Sequence, residues 1–221
     1  LLSEWCRMRV AVFGGTFNPV HYGHLRLAEE VRDACRLDTV IFMPTFLTPP
    51  KQNEPQTPAR VRLELVRRAI SDNPGFTVSA LEIEREGRSF TIDTVRELLK
   101  EPGTEVSLIL GSDSFNDITL WHEYEELLRL SSFIVAPRPG YPSKPPQEVL
   151  KVELAAKFCY DSVSGAYVNS GGNSITYLAT TPIDISSSAI RERVRTGRTV
   201  RYLLPDSAIE FIQEKGLYKQ P

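Results

Sequence analysis

Val10-Ala11-Val12-Phe13-Gly14-Gly15-Thr16-Phe17-Asn18-Pro19-Val20-His21-Tyr22-Gly23-His24 is the stretch of sequence that decides the fold. Its four leading apolar residues predict a short buried strand, and the glycine pair after them lets the backbone approach a ligand without an intervening Cβ atom. The two histidines stand three residues apart where a helix is predicted to begin, so their imidazoles share one side of its first turn. Because a helix N-terminus presents unpaired N–H groups and the positive end of the macrodipole, this stretch is predicted to hold a polyphosphate.

From the residues alone, the phosphate site competes with a simpler interpretation. Glycine pairs after strands are common in α/β domains, and two histidines can be solvated. However, the segment from Gly14 to His24 resembles the signature of the nucleotidyltransferases that carry a His-x-Gly-His motif. It is especially similar to the nicotinate-nucleotide adenylyltransferases of bacterial NAD synthesis. This resemblance implies that ATP and nicotinate mononucleotide are the substrates and that nicotinate adenine dinucleotide and pyrophosphate are the products.

Length and charge limit the class of protein. The chain has 221 residues, 41% of them hydrophobic, which is enough to bury one full core. No apolar run approaches the roughly 20 residues of a membrane span, and a net charge of −2 argues against a nucleic-acid surface. We therefore expect residues 9–221 to form a single cytoplasmic enzyme domain after an N-terminal extension, residues 1–8, with neither nucleic acid nor membrane as a partner.

The cysteines indicate no covalent or metal framework. Cys6, Cys35 and Cys159 are odd in number and widely spaced, so we expect neither a disulfide nor a structural zinc site. Cys35 is predicted to be a core residue. No protein metal site is predicted, and the oligomeric state stays open, including a homo-oligomer.

Strands and helices alternate along the chain. This order predicts a Rossmann-like doubly wound parallel sheet with helices on both faces and a C-terminal helical element, and the resemblance implies its nucleotidyltransferase type. Residues 151–173 receive no assignment. The predicted strands are Val10–Phe13, Val40–Met43, Phe76–Ile83, Val106–Leu110 and Phe133–Ala136. Besides the helix that begins at the histidine pair, with Leu25, Leu27, Ala28, Val31 and Cys35 near one face, the predicted helices include one opened by Pro58 with apolar positions Val61, Leu65 and Ala69. Further predicted helices are Asp93–Lys100, Glu123–Leu130, and Asp206–Lys215 with Asp206 as candidate N-cap.

Ligands of open α/β sheets bind outside the carboxyl ends of the strands, where the chemically informative residues of this chain also lie. After the fourth strand, Gly111 allows close approach of a nucleotide and Asp113 can accept from a ribose hydroxyl. Trp121 offers a face for stacking, although from the residues alone a tryptophan beside a helix is more often a core residue. Lys51, in the loop after the second strand, can reach a phosphate or simply be solvated.

The serine run Ser186-Ser187-Ser188 followed by Arg191 indicates the start of a helix and a second anion site. N-capping explains one of the serines, whereas the other hydroxyls together with the guanidinium of Arg191 predict the anion site. The family resembled uses a matching element to grip the ATP phosphates, and Arg138 matches a position near its adenylyl group. The resemblance thus implies an ATP site comprising Gly14, Gly15, Thr16, Phe17, His21, His24, Gly111, Asp113, Arg138, Ser186, Ser187, Ser188 and Arg191.

The acceptor site is also implied by resemblance. The run Ser89 to Thr94 and the pair Trp121-His122 are similar to the elements that bind nicotinate mononucleotide in the family. The implied contacts are Thr45, Lys51, Thr91, Trp121 and His122. This chain departs from the family pattern at three positions: Pro50 replaces a histidine, Thr45 an asparagine, and His122 a frequent tyrosine.

The implied reaction needs no general base, because a nucleotide 5′-phosphate is already an anion at pH 7. It needs alignment and charge stabilisation, which we assign to the catalytic residues His21 and His24, with magnesium arriving on ATP. Other open functions are pantetheine-phosphate or glycerol-phosphate nucleotidyl transfer, a non-catalytic nucleotide sensor, and a fragment related to class I tRNA synthetases. The last is disfavoured by length, by charge and by serines where a lysine-rich signature is expected.

Overall fold

A computed structural model describes residues 7–46, 57–138 and 140–219. Contacts between residues divide the chain into two compact units. The first unit comprises the residues up to Phe13, then Val31–Thr39 and Phe90–Thr180. The second comprises Gly14–Glu30, Val40–Ser89 and the residues from Thr181 onward. No helix within the described ranges combines the length and the apolar character that crossing a bilayer requires.

The strands of the described residues are β1 (Met8–Gly15), β2 (Thr39–Pro44), β3 (Phe76–Val78), β4 (Thr104–Gly111), β5 (Ser132–Ala136), β6 (Phe158–Asp161), β7 (Ala166–Asn169) and β8 (Ser174–Tyr177). The helices are α1 (Tyr22–Ala34), α2 (Ala59–Ala69), α3 (Leu81–Arg85), α4 (Thr91–Leu98), α5 (Ser112–Asn116), α6 (Tyr124–Leu130), α7 (Pro146–Val149), α8 (Val152–Ala155), α9 (Ser187–Arg195) and α10 (Asp206–Glu214). One 3₁₀ turn covers Ile118–Leu120.

In the first unit the strands lie in the order β1-β4-β5-β8-β7-β6. The pairs β1–β4, β4–β5 and β5–β8 are parallel, with Val10 opposite Val106 and Leu108 opposite Phe133. These residues are buried, as expected for continuous apolar runs in a parallel sheet covered on both faces. The parallel pairs and their helices confirm the predicted Rossmann-like α/β class.

In the second unit β2 and β3 form a parallel pair, with Val40 opposite Phe76. Helix α10 packs on α2: the guanidinium of Arg68 lies 4.4 Å from the ring centroid of Phe211, and the Ser207 hydroxyl donates to the Arg68 carbonyl at 2.9 Å. The predicted C-terminal helix is therefore confirmed. Asp206 is its first residue and follows Pro205, so the prediction that Asp206 is the N-cap is wrong.

Several predicted elements differ in extent from the observed ones, among them the third strand and the helix that follows Phe90. The third strand ends at Val78, and Ile83 is buried on α3, because the Ser79 hydroxyl accepts the Leu81 N–H at 3.2 Å and starts a helix there. Helix α4 begins at Thr91, two residues before the predicted start. Cys35 is half-buried rather than a full core residue, and burial raises the pKa of its thiol.

The unassigned segment 151–173 contains α8 and the strands β6 and β7. Strands β6 and β7 pair antiparallel, as do β7 and β8. The last strands at one edge of the first unit's sheet, β7 and β6, are therefore paired antiparallel, whereas a parallel sheet was predicted. Short strands such as Phe158–Asp161, half of whose side chains are exposed, carry a weak apolar signal.

Candidate functional site

The segment 14–24 runs from the last residues of β1 into the first turn of α1 and belongs to the second unit; we call it the nucleotide loop after the ligand predicted for it. A Cβ atom added at Gly15 would lie 3.0 Å from the ring of Phe17, so any other residue here would press on that ring. Phe17 has a positive φ of 47° and is only 2% exposed. Its ring centroid lies 5.6 Å from that of Phe42 and 5.2 Å from that of His24. The Phe17 ring therefore packs the loop against β2 and lies beside the histidine pair.

The two histidines are stacked at the start of α1. Their ring centroids are 3.8 Å apart with the planes tilted by 32°. The backbone N–H of His21 donates to Nδ1 of His24 at 3.3 Å. Since Nδ1 of His24 accepts a hydrogen bond, the neutral ring carries its proton on Nε2. His24 is thus set up as a donor through Nε2.

His21 is the more buried ring, with 6% of the residue exposed. Burial lowers its pKa from 6.5 to about 4, so it is neutral at pH 7. Among the described residues its Nδ1 has no hydrogen-bond partner. A Cβ atom at Gly23 would lie 3.1 Å from Cε1 and Nδ1 of His21, so the glycine of the motif leaves room for this ring.

The N-terminus of α9 is fastened to the nucleotide loop. Ser186 caps the helix by accepting the Ala189 N–H at 3.2 Å. The Ser187 hydroxyl donates to the Pro19 carbonyl at 2.8 Å, and Nη1 of Arg191 donates to the Asn18 carbonyl at 2.8 Å. Ser188 is exposed, with its hydroxyl 3.3 Å from that of Ser186. The N-termini of α1 and α9 therefore both adjoin this loop of the second unit, and a helix N-terminus favours anions.

Two further residues hold this loop and were missed in the sequence. The Tyr218 hydroxyl donates to Oδ1 of Asn18 at 2.8 Å. Burial raises the pKa of Tyr218 to about 12, so the hydroxyl stays protonated and remains a donor at neutral pH. Arg62 of α2 is 1% exposed and donates to the Thr16 carbonyl at 2.6 Å. A charged residue on the otherwise apolar face of α2 was the available signal for Arg62, whereas nothing in the sequence singles out Tyr218.

The carboxyl end of β4 forms a second cluster, in the first unit. Nη1 of Arg138 lies 2.7 Å from Oδ2 of Asp113, and a Cβ atom at Gly111 would collide with Oδ1 of Asp113. The buried Ser112 hydroxyl donates to the Tyr141 carbonyl at 2.7 Å and accepts the Arg138 N–H at 3.0 Å. Oδ1 of Asp113 has no hydrogen-bond partner among the described residues, which leaves an acceptor for a ligand hydroxyl.

The predicted acceptor residues of the first unit also lie together. Thr91 opens α4, and the ring of the preceding Phe90 lies 4.4 Å from the ring of His122, centroid to centroid. Trp121 is half-buried beside it. Helix α4 is joined to the start of α6 by Arg96, whose Nη2 lies 2.5 Å from Oε2 of Glu123. The structure thus presents aromatic rings next to a helix N-terminus, which suits an anionic aromatic ligand.

The remaining predicted residues are Thr45 and Lys51. The Thr45 N–H donates to the Gly15 carbonyl at 3.0 Å, and the Thr45 carbonyl accepts from Arg62 at 2.6 Å, so this backbone supports the nucleotide loop. Lys51 and Pro50 lie outside the described residues. Within residues 7–46, 57–138 and 140–219, no three His, Cys, Asp or Glu side chains are grouped as a metal site.

The sequence is similar to known nucleotidyltransferases. Residues 12–193 match the cytidylyltransferase-like family model. A protein of Geobacter metallireducens named as a probable nicotinate-nucleotide adenylyltransferase is 47% identical over 212 residues, covering 96% of this chain and 98% of its own. A protein of Syntrophotalea carbinolica with the same name is 40% identical over 213 residues, with the same coverage.

Solved structures have a similar fold. Nicotinic acid mononucleotide adenylyltransferase of Plasmodium falciparum, complexed with NaAD, aligns with a TM-score of 0.69 and 16% identity over 95% of this chain and 97% of its own. A putative nicotinate-nucleotide adenylyltransferase of Vibrio parahaemolyticus aligns with a TM-score of 0.61 and 17% identity over 96% of each chain. At such identities the likeness establishes the fold.

Proposed function

This chain belongs to the cytidylyltransferase-like family, and we propose that it joins the AMP moiety of ATP to nicotinate mononucleotide in NAD biosynthesis. It is an enzyme of the nucleotidyltransferase class. The names of its relatives, matched over nearly their full length, support the substrates. The single observation that carries the proposal is the stacked His21–His24 pair on a loop to which the N-terminus of α9 is fastened.

The proposed step is a displacement at the α-phosphorus of ATP. An oxygen of the nicotinate mononucleotide 5′-phosphate forms the new P–O bond, and the bond from the α-phosphorus to the bridging oxygen breaks. Pyrophosphate leaves with that electron pair, and nicotinate adenine dinucleotide remains. Because the attacking phosphate is already an anion, the enzyme's contribution is alignment and the stabilisation of negative charge.

His24 is proposed to contact the α-phosphate through its Nε2–H, because its Nδ1 already accepts from the His21 backbone. His21 is neutral at pH 7 because burial lowers its pKa to about 4, so it contributes a dipole beside the reacting phosphates rather than a full charge. The N-termini of α1 and α9, with Ser188 and Arg191, are proposed to share the remaining phosphate oxygens. Lys51 is proposed to assist them from the segment after β2.

Thr91, Trp121 and His122 are proposed to receive the pyridine ring. Trp121 and the Phe90–His122 pair provide faces for stacking, and the start of α4 provides N–H donors for the nicotinate carboxylate. Asp113 and Arg138, at the end of β4, are proposed to bind the adenosine part of ATP.

Magnesium is proposed to arrive with ATP. The groups assembled around the nucleotide loop are N–H, hydroxyl and guanidinium donors, which suit phosphate oxygens rather than a divalent cation. These residues would hold the triphosphate, and the ion would supply additional neutralisation of its charge. We place the reaction in the cytoplasm because its substrates are soluble nucleotides.

The test is to incubate the protein with ATP, magnesium and one acceptor at a time: nicotinate mononucleotide, phosphopantetheine or glycerol phosphate. We expect pyrophosphate and a dinucleotide only with nicotinate mononucleotide. Pyrophosphate with another acceptor would reassign the substrate within the family. Tight ATP binding without turnover on any acceptor would instead identify a nucleotide sensor.

A further inference from the structure

Arg62 is a buried arginine that, among the described residues, donates its hydrogen bonds to main-chain carbonyls. It is 1% exposed on α2. Its Nε donates to the Thr57 carbonyl at 3.0 Å, its Nη1 to the Thr16 carbonyl at 2.6 Å, and its Nη2 to the carbonyls of Thr45 at 2.6 Å and Phe46 at 3.3 Å. One guanidinium therefore joins three segments of the second unit: the nucleotide loop, the chain after β2 and the chain before α2.

This burial is unfavourable for stability alone. Among the residues that the structure describes, no carboxylate forms an ion pair with Arg62, and burial lowers the pKa of its guanidinium. Transferring a charged group into a protein interior costs several kcal/mol, and a packed apolar side chain is often the more stable alternative. Its neighbours on the buried face of α2, Leu65, Val66 and Ala69, are apolar. A role outside stability explains the exception.

The bonds of Arg62 set the direction of peptide groups in the nucleotide loop. Since a trans peptide is planar, pointing the Thr16 carbonyl at Arg62 turns the N–H of Phe17 to the opposite side. The Gly15 carbonyl accepts the Thr45 N–H at 3.0 Å, which turns the Thr16 N–H away from Thr45. Arg62 in turn holds Thr45 through its carbonyl. Arg62 and the Thr45 backbone together thus fix the orientation of two consecutive peptide groups of the nucleotide loop, Gly15–Thr16 and Thr16–Phe17.

We propose that Arg62 is a positioning residue for adenylyl transfer, which fixes the nucleotide loop in the geometry that receives the ATP phosphates. This inference rests on the proposed function, because it takes the nucleotide loop as the phosphate site. Arg62 acts through Thr16 and Thr45 and contacts no substrate. The planar fork matters as well as the charge: the ammonium of a lysine presents its donors from one atom and cannot serve three diverging segments.

The experiment compares R62K and R62M with R67M. Arg67 is the matched control, since it lies on the same helix with its side chain 57% exposed and pairs with Glu64. For each protein we would measure kcat, the KM values of ATP and nicotinate mononucleotide, and the affinity for inorganic tripolyphosphate by calorimetry. Circular dichroism and thermal melting establish which variants fold.

We expect R62K to lose about 10²-fold in kcat, the size of effect produced by misplacing reacting groups by about 1 Å. Its affinity for tripolyphosphate should fall about tenfold, with the KM of nicotinate mononucleotide within about threefold of the parent. R67M should behave as the parent. The proposal is overturned if R62K keeps kcat and tripolyphosphate affinity within about threefold, or if both KM values rise together with kcat unchanged.

The tripolyphosphate arm separates the two proposals. A parent protein that forms no dinucleotide defeats the proposed function, while its affinity relative to R62K still decides the role of Arg62. A parent that does not bind tripolyphosphate overturns the inference directly. If neither Arg62 variant folds, the test is instead an NMR titration of the isotope-labelled parent with tripolyphosphate, which follows the Nε–H resonance of Arg62. A shift of that resonance on adding tripolyphosphate supports the proposal, and an unchanged resonance at saturation refutes it.

Discussion

Protonation of His21 is expected to make folding strongly pH-dependent. Burial lowers its pKa from 6.5 to about 4 in the folded protein. Above pH 6.5 the ring is neutral in both the folded and the unfolded chain, so the lowered pKa does not affect stability there. Between pH 6.5 and pH 4 only the unfolded chain takes up the proton, and the free energy of unfolding therefore falls as the pH falls. Because a tenfold change in a protonation equilibrium corresponds to about 1.4 kcal/mol, His21 removes about 2 kcal/mol at pH 5 and about 3 kcal/mol at pH 4.

The assay is urea unfolding of the parent and of His21→Gln from pH 7.5 down to pH 4. Glutamine does not titrate, so the difference in unfolding free energy between the two proteins isolates the imidazole from the carboxylates that both share. That difference should change in favour of the variant by about 2 kcal/mol between pH 7.5 and pH 5. His122→Gln makes the same substitution at an exposed histidine, and its unfolding free energies over the same pH range serve as the control. A difference that stays constant across this range would refute the assignment of His21 as a buried neutral ring.

Three further substitutions test the site. His24→Ala should lower kcat about 10²- to 10³-fold with a small change in the KM of ATP, because it removes a donor that stabilises charge in the transition state. A kcat within a few-fold of the parent in steady-state kinetics would show that His24 does not have that role. Trp121→Ala should cost about 1 to 3 kcal/mol of acceptor binding, seen as a raised KM for nicotinate mononucleotide alone; equal rises for ATP would make Trp121 structural. Gly23→Ala places a Cβ atom 3.1 Å from the His21 ring and should therefore lower kcat about tenfold, while the melting temperature should not fall because alanine favours a helix more than glycine does. A kcat equal to that of the parent would show that the His21 ring has room to move.

Much of the fold could be predicted because its central elements are long and strongly patterned. The run Val10–Phe13 is wholly apolar, the strand Val106–Leu110 is apolar except at Ser107, and a glycine follows each of them. Both lie in the parallel sheet of the first unit. The end of the third strand could not be predicted. Ile83 continues the apolar pattern after Val78, but the Ser79 hydroxyl accepts the Leu81 N–H in a turn just before a short helix, and that helix buries Ile83.

The sequence points to members of the candidate site where these are side chains with a recognisable spacing. His21 and His24 are recognisable from their spacing, and the structure stacks them. Arg62 was not predicted, since Val61 was taken as the apolar position of α2 and the structure buries Arg62 instead. The reason is that its partners are main-chain carbonyls, which leave no pattern of acidic side chains in the sequence. Tyr218 was missed for a similar reason, because its partner Asn18 lies 200 positions away along the chain.

The most direct test of the central claim is an internal competition. Equal amounts of nicotinate mononucleotide and nicotinamide mononucleotide compete for limiting ATP, and mass spectrometry gives the ratio of the two dinucleotides, which equals the ratio of their kcat/KM values. In the proposed acceptor site, N–H donors at the start of α4 pair with the nicotinate carboxylate, whereas an amide would leave a donor unmatched at a cost of about 1 to 3 kcal/mol. We therefore predict at least about tenfold more nicotinate adenine dinucleotide. Equal amounts of the two dinucleotides would contradict nicotinate selectivity, and the absence of both would contradict adenylyl transfer to a pyridine nucleotide.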